Sequence, residues 1–367
     1  MLRASPEQAA VRLKTGMTPI DDDERFGKTA LGEIISRQVG HRGTAGIAVV
    51  PRPAADPVVA WAPESARDEP GYLAYSITKT FTAALVLQLR DEGRLTLDDR
   101  LARWLPRITG SERISLRQLL NHTAGVPDYG GLRAYHDEVR ASPSTPWSFE
   151  RFAAETFDKG LRFEPGSGWA YSNPGYMLLR RIAEQVADRA YGTLIAERIA
   201  RPLGLVRTFV PESLEDLSSL APASSRVLSR DGAPREVRDH YHPGWVSHGV
   251  VASTPSEVAR FFDALFRARL VSPSSLQELT TLVPVPGNLA ESGHWAQPSY
   301  GLGIMGDPAS RWGLLCGHNG GGPGYRTAAY HAPDLGGVSV CAMCALEEDS
   351  RAEQLVFAVL DALPETS

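Results

Sequence analysis

The sequence is short of cysteine. Three cysteines in 367 residues are too few, and odd in number, for a disulfide framework. Long apolar runs are missing too. A membrane span needs ~18 apolar residues, and the longest tracts, such as 338–346, have only the length of a strand. No apolar stretch follows Met1, so no secretory leader is expected, and the cytoplasm is the expected location. Neither sign of charge dominates. With 38 basic and 43 acidic residues the net charge is -5, which weighs against nucleic acid as the main partner.

Several catalytic and nucleotide signatures are absent as well. There is no Gly-x-Ser-x-Gly, which removes the usual nucleophile elbow of the α/β-hydrolases. Gly27-Lys28-Thr29 ends like a phosphate loop, but the glycine required five positions earlier is Asp22. Residues 301–306 match Gly-x-Gly-x-x-Gly, yet Asp307-Pro308 follows, a turn where a dinucleotide site needs the start of a helix. Cys341 and Cys344 have metal-site spacing without a second pair, and they would point to opposite faces of a strand. His240, His242 and His248 lack an acidic or cysteine partner at matching spacing, so no metal is expected.

What remains is the composition of an ordinary globular protein, 43% hydrophobic and 22% charged, long enough for two lobes. Residues 1–24 read as an N-terminal arm with a short helix over 6–13. A helix is expected over 29–39, and strands over 45–50 and 57–61 form a hairpin. Apolar spacing predicts a helix over 76–92 closed by Gly93. Further helices are expected over 115–121, 148–157 and 175–187, and Thr254-Pro255 reads as the capped start of another. Strands return at 300–305, 312–316, 325–331 and 337–345, before a last helix over 351–363. Strand character at both ends with helices between predicts a mixed α/β (α+β) fold. One largely antiparallel sheet is built from both termini (25–75 and 241–367), and a helical lobe is inserted over 76–240.

Three short segments carry the chemistry. In Tyr75-Ser76-Ile77-Thr78-Lys79, Ser76 and Lys79 share a helix face. A serine hydroxyl needs a base, and a desolvated lysine is one. In Tyr171-Ser172-Asn173 a loop aims a phenol and an amide together. In His318-Asn319-Gly320 a strand ends in glycines that admit a close backbone, and the Gly321 N–H is placed to join that of Ser76 around an oxyanion. Alone, each has a bland reading: a capped helix with a surface lysine, a packed loop tyrosine, a glycine-rich turn.

In this order the three segments resemble the serine β-lactamase, penicillin-binding protein and DD-peptidase superfamily, in particular its class C-like esterase, D-aminopeptidase and acyltransferase branch. Residues 119–127, 97–101 and 300–303 add to the likeness, which spans roughly 30–365. The resemblance implies a β-lactamase/transpeptidase-like fold and a cofactor-free serine hydrolase acting on a small-molecule or peptide acyl substrate. It implies Ser76 as the acylated nucleophile, Lys79 as its base partner, and Tyr171 as general base or acid. Asn173 would hold Lys79 and the substrate amide. His318 and Gly320 would line the substrate edge, and Gly321 would hold the oxyanion. Many members have lysine where this sequence has His318, so weak β-lactam hydrolysis is expected. The substrate is an ester or amide, including peptides with a D-residue. An acyltransferase or peptide-cyclising thioesterase, and a non-catalytic penicillin-binding-type sensor, are the alternatives. Tyr129 and Asn319 are candidates for the cleft. Tyr129 reads equally as a surface aromatic, Trp245 reads as packing, and His248 faces either the cleft or the core. The oligomeric state is left open.

Overall fold

The computed structural model describes residues 27–40, 43–63, 66–286, 295–347 and 350–363. The arm expected over 1–24 lies outside them. Eight strands form one antiparallel sheet: β1 (Ala45–Val50), β2 (Val58–Ala62), β3 (Val283–Pro284), β4 (Ser299–Tyr300), β5 (Met305–Ser310), β6 (Gly313–Gly322), β7 (Tyr325–Ala332) and β8 (Val338–Cys344). Their order across the sheet is β2-β1-β8-β7-β6-β5-β4-β3. The N-terminal hairpin therefore pairs with the last strand, Ile47 facing Ala342.

Alternating side chains of β1 and β8 serve two cores. Ile47, Val49, Val340 and Ala342 face outward against α1 (Lys28–Val39) and α7 (Arg351–Asp361), which cover that face with Leu31, Ile35, Leu355 and Val359. Ala48, Val50, Cys341 and Met343 face inward, into a larger core shared with the helices. Cys341 and Cys344 therefore lie in different cores, and burial raises both thiols, Cys344 to about 12.

The inner core joins the sheet to the helices. α2 (Thr78–Asp91) is buried around nearly its whole circumference. It packs on α5 (Asn173–Ala187), and Phe81 stacks at 3.7 Å on Phe261 of α6 (Pro255–Phe266), which lies on the inner face of the sheet. Burying side chains such as Phe81 and Leu85 contributes about 1.5–3 kcal/mol each. Short caps set the helix starts. Ser115 forms a capping box with Gln118 at the start of α3 (Leu116–Leu120), and Ser148 before α4 (Phe149–Glu155), Ser172 and Thr254 each accept a backbone N–H of the following turn.

Two segments depart from expectation. The strand expected over 300–305 is broken, because Gly303 (φ +73) leaves the sheet to meet α2. A Cβ there would lie 2.6 Å from that of Ala83 and 2.8 Å from the Lys79 carbonyl oxygen. The Gly-x-Gly-x-x-Gly run thus serves helix packing, with Thr80 donating to the Gly303 carbonyl at 2.7 Å. The strand at 312–316 instead continues through its glycines to Gly322. Among the described residues, no helix is long and apolar enough to cross a membrane.

Candidate active site

Ser76 lies in a 3-10 turn (Tyr75–Ile77) that leads into α2, one step earlier than a regular helix start. Tyr75 takes a left-handed φ of +46, a strained setting for a bulky residue. Its hydroxyl donates to the Pro323 carbonyl at 2.7 Å and holds it there. Strand β6 closes on this turn. A Cβ on Gly320 would lie 2.5 Å from the Ala74 oxygen and 2.9 Å from the Ser76 nitrogen, so only glycine fits. Thr327 and Val251 pin the same turn through hydrogen bonds to Ala74 and Thr78.

Around Ser76 the expected groups converge. The Tyr171 phenol donates to the Ser76 Oγ at 2.8 Å, and the Lys79 Nζ lies 3.2 Å from the same oxygen. Lys79 is buried, and it donates to the Asn173 Oδ1 at 2.7 Å. Its nitrogen also lies over the Tyr171 ring, 4.7 Å from the centroid. Desolvation lowers the Lys79 pKa to about 7, against an upward pull from Asp128. Half the lysine is therefore a neutral amine near neutral pH, fit to accept a proton. Desolvation raises the Tyr171 phenol, and its hydrogen bond with Ser76 offsets this only in part. The phenol stays protonated and is a donor.

The third segment is placed differently from expectation. His318 is 1% exposed and does not line the cleft. Its Nδ1 donates to the Asn319 carbonyl at 2.6 Å, so its Nε2 accepts from the Tyr300 hydroxyl at 2.9 Å. Burial and the nearby Lys79 charge lower it to about 3, which leaves a neutral ring. Asn319 does not line the Ser76 cavity either. Successive residues of β6 alternate between faces, and the Asn319 amide donates to Glu353 of α7, on the outer face of the sheet. Gly321 and Tyr129 do border the cavity that holds Ser76. Tyr129 is 4% exposed, and its hydroxyl accepts from the Ser247 N–H at 3.3 Å. Trp245 is core, its indole donating to the Pro143 carbonyl at 2.8 Å.

Of four further neighbours, only His248 is a candidate for the cleft in the sequence. Asp128 holds Asn173, Tyr300 holds His318, and the His248 Nε2 lies 3.3 Å from the Lys79 Nζ. The His122 ring lies 4.5 Å from that of Tyr171, and its Nδ1 accepts from the Ser172 N–H at 3.2 Å, which steadies the tyrosine loop. The cavity beside Ser76 measures about 440 Å³. Tyr129, Tyr135, Val139, Tyr241 and Val246 form its apolar wall, while Arg140, Arg326 and Glu347 bring charge to it. Among the described residues no group of three or more His, Cys, Asp or Glu is arranged to hold a metal ion. His240 and His242 are each tied to their own turns.

Residues 27–362 match the family described as Beta-lactamase. The chain belongs to the Beta-lactamase family. The Penicillin-binding protein 4* of Bacillus subtilis (strain 168) is 29% identical over 282 residues, which is 69% of this chain and 56% of that protein. A lovastatin esterase of Penicillium rubens is 32% identical over 170 residues, 41% of this chain and 42% of the esterase. The chain thus spans about half the length of these curated relatives. Among solved structures, a D-stereospecific amidohydrolase from Streptomyces sp. matches with a TM-score of 0.77 and 29% identity, over 90% of this chain and 98% of that one. The β-lactamase/transpeptidase-type fold of the family is the fold of this chain. Its architecture is mixed, helical and antiparallel.

Proposed function

We propose that this family member is a serine hydrolase that opens ester or amide bonds through an acyl ester on Ser76. The observation that carries this reading is the double reach of the Ser76 Oγ, 2.8 Å to the Tyr171 phenol and 3.2 Å to the Lys79 amine. As Oγ bonds to the substrate carbonyl carbon, its proton passes to the neutral Lys79. The Ser76 and Gly321 N–H groups receive the developing oxyanion. The carbonyl-to-leaving-group bond then breaks, the leaving group takes the phenol proton, and the Lys79 ammonium restores the phenol. Water releases the acyl group by the reverse order of proton transfers.

The apolar wall beside Ser76 suits an aromatic or branched acyl part. The likeness to a D-stereospecific amidohydrolase favours an amide or short peptide with a D-residue. His318, which stands at the position of the motif lysine, is buried and neutral, which supports weak turnover of carboxylate-bearing β-lactams. D- and L-phenylalanine p-nitroanilides test the reading. Release from the D-isomer, lost in Ser76→Ala, is expected, and equal inertness of both would remove the D-amide assignment. Transfer to an amine in place of water uses the same acyl ester, and product analysis with and without added amine separates the two.

A further inference from the structure

Lys79 has three polar neighbours, Ser76, Asn173 and His248, and only three valences to offer them. A neutral amine has two N–H bonds and one lone pair. The partners therefore decide which of the three meets the lone pair. Asn173 cannot, because its Nδ2 donates to the Asp128 carboxylate at 3.1 Å, which turns the accepting Oδ1 toward the lysine. One N–H is committed there. The choice then lies between Ser76 and His248.

We propose that His248 is a positioning residue that aims the Lys79 base, accepting the second N–H at Nε2 so that the lone pair is left for the Ser76 hydroxyl. With the other tautomer, Nε2–H would take the lone pair, and the lysine would donate to Ser76 and fail as a base. The His248 proton therefore belongs on Nδ1. That atom is buried without a partner among the described residues, so no contact on that side opposes this tautomer. Burial, followed by the Lys79 charge, holds the ring pKa far below its ordinary value, so the imidazole is neutral and keeps a lone pair to offer. His248 borders the substrate cavity and is 169 positions from Lys79 in the chain. The inference rests on Lys79 being the base.

Replacement by side chains of known shape tests it. His248→Leu should slow acylation of Ser76 by p-nitrophenyl acetate about 10- to 100-fold at unchanged KM, since misaimed groups lose rate and not binding. His248→Gln places an acceptor where Nε2 was and should recover to within about threefold of wild type. His248→Asn places its oxygen near Nδ1 and should behave like Leu. Equal rates for Leu and wild type, or equal recovery by Asn and Gln, would overturn the proposal. A second readout needs no turnover. Nitrogen-15 NMR of histidine-labelled protein, with His248 assigned by the signal missing from His248→Gln, should show the Nδ1–H tautomer, and the Nε2–H tautomer would overturn it. If wild type forms no acyl ester on Ser76, the base reading fails separately, and the tautomer still decides the positioning claim.

Discussion

Asp128 holds Asn173 by two donors at once. Its Oδ1 accepts the Asn173 backbone N–H at 2.8 Å and the side-chain Nδ2 at 3.1 Å. A carboxylate cannot donate, so the Asn173 amide has one orientation, with Oδ1 on Lys79. The same carboxylate supports the ammonium form of the lysine.

Two Asp128 variants separate orientation from charge. Asp128→Ala frees the amide and should slow acylation roughly 100-fold, the usual scale for a misplaced catalytic group. Asp128→Asn keeps an accepting oxygen but removes the charge. Its acid limb of acylation should move to lower pH, because the ammonium loses support. Pre-steady-state acylation rates across pH read both effects, and an unmoved limb in Asp128→Asn would contradict the electrostatic part.

With Lys79 as the proposed base, its titration should set the pH dependence of acylation. With its pKa at about 7, the amine is protonated and idle below that pH and free above it. Acylation should rise with pH through half-maximum near 7. Tyr171 is raised above its ordinary range and should add no loss on the alkaline side near pH 9.

Stability should follow the same group. The folded pKa is below the unfolded value of 10.5, so between about 7 and 10.5 the unfolded chain holds a proton that the native state lacks. The cost of burying Lys79 is complete below pH 7 and fades as pH rises. Lys79→Met should therefore be more stable than wild type at pH 6, by on the order of a few kcal/mol, and this gap should shrink toward pH 10. Chemical denaturation at both pH values checks the sign.

Gly320→Ala should damage activity more than folding. The added Cβ meets the backbone of Ala74 and Ser76, so the turn that carries Ser76 must move. A loss of roughly 100-fold in acylation, with circular dichroism retained, is expected. Asn319→Ala should do the opposite. It should leave acylation unchanged and lower stability by about 1 kcal/mol through the lost bond to Glu353.

Local periodicity explains what could be read from the sequence. The i, i+3 spacing of Ser76 and Lys79, the capping Ser172 and the alternation of β1 and β8 are properties of short segments. Period two also separates His318 from Asn319 once β6 runs to Gly322, whereas the glycines read as the end of the strand. His248, Asp128 and Tyr300 reach the site from other segments of the chain, so no spacing rule signals them. Burial of His318 depends on Tyr300 and Tyr171, whose approach is likewise tertiary.

Intact-protein mass spectrometry tests Ser76 most directly. Wild type and Ser76→Ala would be exposed to p-nitrophenyl acetate, p-nitrophenyl butyrate and benzylpenicillin. Wild type should gain one transient acyl mass from the esters, with nitrophenol release, while Ser76→Ala gains none. An adduct that persists in Ser76→Ala, or none in wild type with any probe, would contradict nucleophilic catalysis by Ser76.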